Sequence, residues 1–350
     1  MRIHNLWTTF LTGCMGLVGT LHTVDYLGYH LLSDEPVRIG VIGLDTSHAP
    51  AFVKLFNQKG GPGELNNMSV VAAFPGGSPD LAPSRDRVAG FTEEIRGMNV
   101  EIVDSIHELL TKVDAILLES VDGRKHLSQA LPVFRSGKPM FIDKPLAADL
   151  TEAIAIDLLA KQFGSRWFSS SSLRFSPSIH RYSSPDFRAK TLGAAAWSPC
   201  SLDPTHVDHF WYGIHGVEIL YTVMGGGCVS VNQTSTEGAD LVVGTWQSGR
   251  MGSFRGIRAG ASGYGVVVFG ADSITNDGKY EGYEPLVFEI ARFFRGGEVP
   301  VASQETLEIM TFMQAAYQSK RSGGQTVLLE NVWNEHLAKA EKLVAEMLDQ

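Results

Sequence analysis

Val37-Arg-Ile-Gly-Val-Ile-Gly-Leu-Asp-Thr-Ser-His48 is the stretch on which the reading of this chain turns. Val37, Ile39, Val41 and Ile42 form a short apolar run of the kind that makes a fully buried strand in a parallel sheet. Gly40 and Gly43 bracket its end, and a polar run, Asp45 to His48, follows. A helix pattern then starts, with Pro50 in its first turn and Phe52, Val53, Leu55 and Phe56 as apolar positions. Strand, tight turn and helix N-terminus together make the usual cradle for a dinucleotide pyrophosphate.

The glycines of that cradle are mostly missing. Aligned on Gly43, the G-x-G-x-x-G pattern reads Gly43-Leu-Asp45-Thr46-Ser47-His48, so only the first glycine is present. Asp45 would set a carboxylate near two phosphates, which is repulsive unless its side chain turns back to cap the helix. The hydroxyls of Thr46 and Ser47 can donate to phosphate and compensate in part. Taken alone, the turn suits a plain strand–helix unit as well as a cofactor site.

With 350 residues, the chain is long enough for two ordinary domains, and 44% hydrophobic with 19% charged residues is globular composition. A net charge of −9 argues against nucleic acid or an anionic membrane as partner. Cys14, Cys200 and Cys228 form neither a disulfide framework nor a metal motif, which favours a cytoplasmic location. Residues 1–35 read as a leader outside the fold. The apolar stretch from Leu6 to Leu21 is diluted by threonine and glycine and is short for a bilayer span, while Leu11-Thr-Gly-Cys14 leaves export or lipid anchoring as the minority alternative.

Strand and helix alternate without a break from Val37. Met68 to Phe74 reads as the second strand; the acid that usually ends it and takes the ribose hydroxyls is replaced by Phe74. Val100 to Val103 is a short strand, Ser105 to Glu108 a capping box, and Ala115 to Leu118 the next strand. Glu119-Ser-Val-Asp-Gly-Arg-Lys-His126 follows as a polar loop at a strand's carboxyl end, where open α/β sheets bind ligands. A helix to Arg135 and a strand Pro139 to Ile142 complete a doubly wound parallel sheet. From Gly193 the chain turns glycine-rich and alternating, as in Leu241 to Trp246 and Tyr264 to Phe269, which reads as a largely antiparallel open sheet in an α+β domain. The expected domains are 36–150 (Rossmann, dinucleotide-binding), 151–330 (substrate and oligomerisation) and 331–350 (a terminal helix).

Asp143-Lys144-Pro145 after the strand at Phe141 resembles the signature of the glucose–fructose oxidoreductase / inositol dehydrogenase / MocA (Gfo/Idh/MocA) family. Gly137-Lys-Pro, Arg174-Phe-Ser-Pro177, Gly213-Ile-His215-Gly-Val-Glu218 and the segments Glu305 to Met310, Ala315-Ala316 and Ser319 to Gly324 agree in order and spacing. The resemblance covers about Val37 to Leu329 and implies a Rossmann domain, NAD or NADP as cofactor, a carbohydrate-like small-molecule substrate and a homodimer or tetramer. It also implies that Lys144 bridges substrate and nicotinamide and that His126 lies near the cofactor. The family's Asp, four positions before the histidine with three residues between them, is Trp211 here, which puts the proton relay in doubt.

His215 is the candidate general base, since imidazole titrates near neutrality. Asp208 and His209 are the candidates to replace the missing acid. The expected catalytic residues are therefore Lys144, His215 and Asp208. The cofactor set is Gly43, Asp45, Thr46, Ser47, His48, Phe74, Glu119, Ser120, His126 and Lys144. Arg174, His209, Trp211, Tyr212 and Glu218 are expected at the substrate. Asp203, His206, Asp208 and His209 have ligand-like chemistry, but a polar loop on sugar hydroxyls is the preferred reading and no metal is expected. The expected function is an NAD(P)-dependent oxidoreductase acting on a CH–OH group of a sugar, cyclitol or derivative. The alternatives are a lyase or hydratase with a tightly held nicotinamide cofactor and a non-catalytic sugar-binding homologue.

Overall fold

The computed structural model describes residues 35–349, so all but the last residue of the expected leader lies outside the described residues. Six parallel strands form the first layer in the order β3-β2-β1-β4-β5-β6. They are β1 (Val37–Ile42), β2 (Met68–Phe74), β3 (Glu101–Ile102), β4 (Ala115–Leu118), β5 (Met140–Ile142) and β6 (Trp167–Ser169). The order reverses between β1 and β4, which makes their carboxyl ends the switch point where doubly wound sheets take ligands. Every residue of β4 and β5 is buried, as continuous apolar strands covered on both faces require.

Helices are set by local signals. Ser105 Oγ accepts the Glu108 N–H and Asp149 Oδ1 the Glu152 N–H, each capping the helix that follows. The helix Gly123–Ser136 starts on Asp122 and ends at the left-handed Gly137. The domain boundary expected at 150 falls inside this layer. The helix Leu150–Gln162 leads into β6, which pairs with β5, and a three-residue strand is too short to show a period. The terminal helix Leu329–Leu348 also returns to this layer, where His336 Nδ1 lies 2.8 Å from Thr151 Oγ1.

The second sheet holds β7 (Thr191–Pro199), β8 (Cys228–Ser235), β9 (Ala239–Trp246), β10 (Met251–Ile257), β11 (Gly265–Gly270), β12 (Ile274–Asp277) and β13 (Val327–Leu328). Its order is β12-β11-β7-β10-β9-β8-β13, antiparallel except for the β7–β10 pair. One face packs on the buried helix Ile214–Met224; a Cβ on Gly216 would lie 2.3 Å from the Phe254 ring, so glycine lets helix and sheet meet. The other face is open, and Met251 and Phe269 flank Gly193 on it with 63% and 41% of their surface exposed. Among the described residues, no helix is long and apolar enough to cross a membrane.

Gly43 is the tightest point of the switch region. Its φ is +91°, and an added Cβ would sit 2.3 Å from the Ser120 nitrogen. Gly43→Ala therefore combines a left-handed backbone with a clash against main chain. The expected loss is at least about 3 kcal/mol, roughly four degrees of melting temperature in a chain of this size. Gly90→Ala, in a helix with open space around it, should melt within about one degree of the parent. Equal melting of both variants would contradict this packing.

Candidate active site

Three strand ends converge at the switch point. His48 opens the helix after β1, Glu119 and Ser120 follow β4, and Asp143 and Lys144 follow β5. His48 Nδ1 lies 2.8 Å from Asp143 Oδ2, off the line a hydrogen bond needs, and Lys144 Nζ is 3.9 Å from the same oxygen. The His48 ring stacks on Phe52 at 5.7 Å and meets the edge of Tyr283 at 4.8 Å, which fixes its orientation. Burial disfavours charge on Asp143, but His48 and Lys144 outweigh it and hold the carboxyl well below its usual range. Lys144 acts on Glu119 in the same sense but does not prevail. Burial, and then the charge of Asp143, push the Glu119 carboxyl well above the ordinary value.

His215 comes to the same place from the second layer. Its Nδ1 is 2.7 Å from Ser171 Oγ, and the edges of Tyr212 and Tyr264 flank its ring at 5.0 and 5.8 Å. The charges of Lys144, His48 and Asp143 all act on it. Burial first, then Lys144 and His48, drive its pKa well below the ordinary imidazole value, so the ring is neutral at pH 7. Ser171 belongs to the serine run 169–172, which follows the carboxyl end of β6 and carries a local signal in sequence. Tyr264 and Tyr283 carried none, because only the fold brings their loops here.

Other expected residues are committed elsewhere. Asp45 does not cap its helix. It is fully buried and accepts from Val121 N–H at 2.9 Å and Ser84 Oγ at 2.5 Å, because the loop after β2 folds back over the turn. Phe74 offers its carbonyl to Gly43 N–H at 2.9 Å, and Pro75 does the same for Leu44 at 2.8 Å. His126 is fully buried, with Nδ1 3.1 Å from the Leu146 carbonyl oxygen and Nε2 2.7 Å from that of Ser120. It ties the β4 and β5 loops together and leaves neither ring nitrogen for a cofactor.

The expected substrate set divides in the same way. Arg174 Nε donates to Glu218 at 2.6 Å and its guanidinium also holds Glu305 at 2.5 Å, a buried triad that leaves no carboxylate oxygen pair facing a ligand. His209 is buried 3.1 Å from Asp240, which Arg258 also holds, so it supports the second sheet. Asp208 pairs with Lys320 at 2.8 Å and lines a groove of about 720 Å³ with Arg124, Asp149, Glu152 and His206. His206 accepts the Gly123 N–H at 3.0 Å, and burial lowers its pKa to about 4. Asp203, His206, Asp208 and His209 thus do not converge. Trp211 lies against His206 at 5.0 Å, while Tyr212 alone of this set touches His215.

A dinucleotide meets two different halves here. At the ends of β4 and β5, the Glu119 and Asp143 oxygens and Ser120 Oγ are buried without hydrogen-bond partners. Ribose hydroxyls and a carboxamide bring the donors these acceptors lack, so the nicotinamide half fits. On the phosphate side, Thr46 and Ser47 remain at the helix N-terminus, while Ser78 and Ser84 are spent on Asp122 and Asp45.

Two substitutions test these assignments. Arg174→Met should lose roughly 3–5 kcal/mol, since it strands the buried Glu218; a melt unchanged from the parent would refute the structural triad. Burial and Asp149 raise the Glu152 carboxyl to about 7. The folded state therefore loses stability as pH rises from the unfolded value near 4.5 to about 7. Glu152→Gln should melt higher than the parent at pH 8 and close to it at pH 4.5, by thermal melts at both.

No family model matches this chain, and no curated protein matches it in sequence. Solved structures do match in fold. The myo-inositol dehydrogenase of Lactobacillus casei, in complex with NAD(H) and myo-inositol, is 15% identical, with TM-score 0.65 over 84% of this chain and 96% of that one. The scyllo-inositol dehydrogenase of the same organism, with NAD(H) and scyllo-inositol, is 12% identical, with TM-score 0.67 over 85% and 100%. GenD2 of gentamicin A biosynthesis, in complex with NAD, is 14% identical, with TM-score 0.66 over 89% and 99%. The parallel six-stranded layer with its mixed second sheet is therefore the fold of the Gfo/Idh/MocA-type oxidoreductases.

Proposed function

We propose that this chain is a nicotinamide-dinucleotide-dependent oxidoreductase acting on a hydroxyl of a sugar, cyclitol or derivative. The observation that carries the proposal is His215, buried neutral on Ser171, within electrostatic reach of Lys144 at the end of β5. With Nδ1–H donating to Ser171, Nε2 keeps its lone pair for a substrate hydroxyl proton. Lys144 holds the same hydroxyl oxygen and stabilises the charge that develops there as the proton leaves. Tyr212 and Tyr264 wall the base from water and present phenol oxygens 3.1 Å apart to the crevice. A bound nicotinamide ring would supply the hydride acceptor. The inositol ligands of the structural neighbours fit a substrate of this class. The open face of the second sheet is the surface we assign to a homo-oligomer.

A non-catalytic sugar-binding homologue is the second reading, and one feature favours it: the turn's Gly43 and Leu44 N–H groups already serve Phe74 and Pro75. The elimination reading loses its extra acid–base pair, because Asp208 and His209 are held by Lys320 and Asp240.

The test is a screen of sugars and cyclitols for a change in nicotinamide absorbance, with dinucleotide titration by calorimetry. Turnover is expected. His215→Ala should lower it by roughly two to four powers of ten while dinucleotide affinity stays close to the parent's. Lys144→Ala should lower turnover and raise KM. Because the His215 pKa is depressed, the acid limb of kcat/KM should lie well below about 6.5, the ordinary imidazole value. A limb at or above that value, or full turnover in His215→Ala, would remove His215 as the base. If no nicotinamide dinucleotide binds at millimolar concentration, the non-catalytic reading takes its place.

A further inference from the structure

Glu119 is the least explained side chain in the chain. It is fully buried at the end of β4, and neither carboxylate oxygen has a hydrogen-bond partner. Both Asp143 oxygens and His48 Nδ1 also lack one, and Asp143 is 1% exposed. One ligand atom each from His48, Glu119 and Asp143 lies within 4.8 Å of the others. Three ligands each about 2.1 Å from one divalent ion stand roughly 3.0–3.6 Å apart, so closure by up to about an ångström brings them to coordination distance.

We propose that His48 Nδ1, Glu119 and Asp143 bind a first-row divalent cation, Mn²⁺ or a close relative, at the carboxyl ends of β1, β4 and β5. One imidazole and two carboxylates make a mixed N/O set suited to such an ion, and three protein ligands leave positions open for a ligand's oxygens. The ion also reverses the sign of the crevice: with Lys144, it turns a site of two carboxylates into one that accepts phosphate or hydroxyl oxygens. The ion and a nicotinamide half would draw on the same Glu119 and Asp143 oxygens, so its binding is tested with no dinucleotide present and its failure leaves the oxidoreductase reading standing. A second convergent set, Cys200, His209 and Asp240, is the weaker one: Arg258 and His209 already hold Asp240.

The test uses the full chain, stripped with chelator and titrated with Mn²⁺ alone. Loss of the free-ion electron paramagnetic resonance signal should show one equivalent bound. Spin-echo modulation should show a single coupled nitrogen from His48, and Mn²⁺ should raise the melting temperature. Glu119→Gln and Asp143→Asn should each weaken binding by at least about tenfold, while exposed Glu237→Gln binds like the parent. Melts in metal-free buffer check that each variant folds. If a variant does not fold, the nitrogen coupling in the parent decides by itself. No bound Mn²⁺ and no stabilisation by Co²⁺ or Zn²⁺ at millimolar concentration would overturn the proposal. So would undiminished binding by folded Glu119→Gln, absence of the nitrogen coupling, or a thiolate charge-transfer band with Co²⁺, which places the ion at Cys200.

Discussion

The Asp143 carboxylate, buried between His48 and Lys144, is the interaction around which the crevice is arranged. A bare carboxylate cannot stay ionised in a protein interior without a compensating charge. The chain supplies it from two directions, with a histidine at the start of the first helix and a lysine in the loop after β5. That requirement draws the ends of β1 and β5 together across β4 and leaves Glu119, which follows β4, with Lys144 as its weaker support. His215 feels the same charges, so its depressed pKa follows from this cluster and from its own burial.

Several buried polar groups named in the sequence are committed to the scaffold. Asp45, His126, Arg174, Glu218 and His209 are buried with charged or main-chain partners. Each is spent on holding an element in place. Glu119, Asp143 and Ser120 are as deeply buried, with acceptor atoms unmatched. A ligand, ion, proton or water can complete such atoms. All three lie at the strand ends of the switch point.

The phosphate turn illustrates how a familiar motif is rebuilt. With Asp45 and His48 in place of two glycines, the backbone cannot approach a phosphate as closely as a glycine-rich turn allows. The loop after β2 closes over it, and Ser84 and Ser78 tie that loop to Asp45 and Asp122. The carboxylate that looked repulsive in sequence is thereby turned inward and made structural. Negative charge at the crevice comes from Asp143 instead, which follows β5.

The sequence by itself determined the alternation of strand and helix, because buried parallel strands are continuous apolar runs and helix ends carry local caps. β2 and β4 fall at the expected residues, and Ser105 and Gly137 mark the helix ends they were read to mark. The motif Asp143-Lys144-Pro145 and His215 could likewise be picked out, since their chemistry and spacing are local. What the tertiary structure decided is which polar residues have partners. Arg174 finds Glu218 and Glu305, His209 finds Asp240, and Asp208 finds Lys320, pairings 31 to 131 residues apart in the chain. The layer boundary beyond residue 150, the serine beneath His215 and the meeting of His48, Glu119 and Asp143 are of the same kind. No periodicity or motif encodes them, because they arise when the sheet order places β1, β4 and β5 side by side.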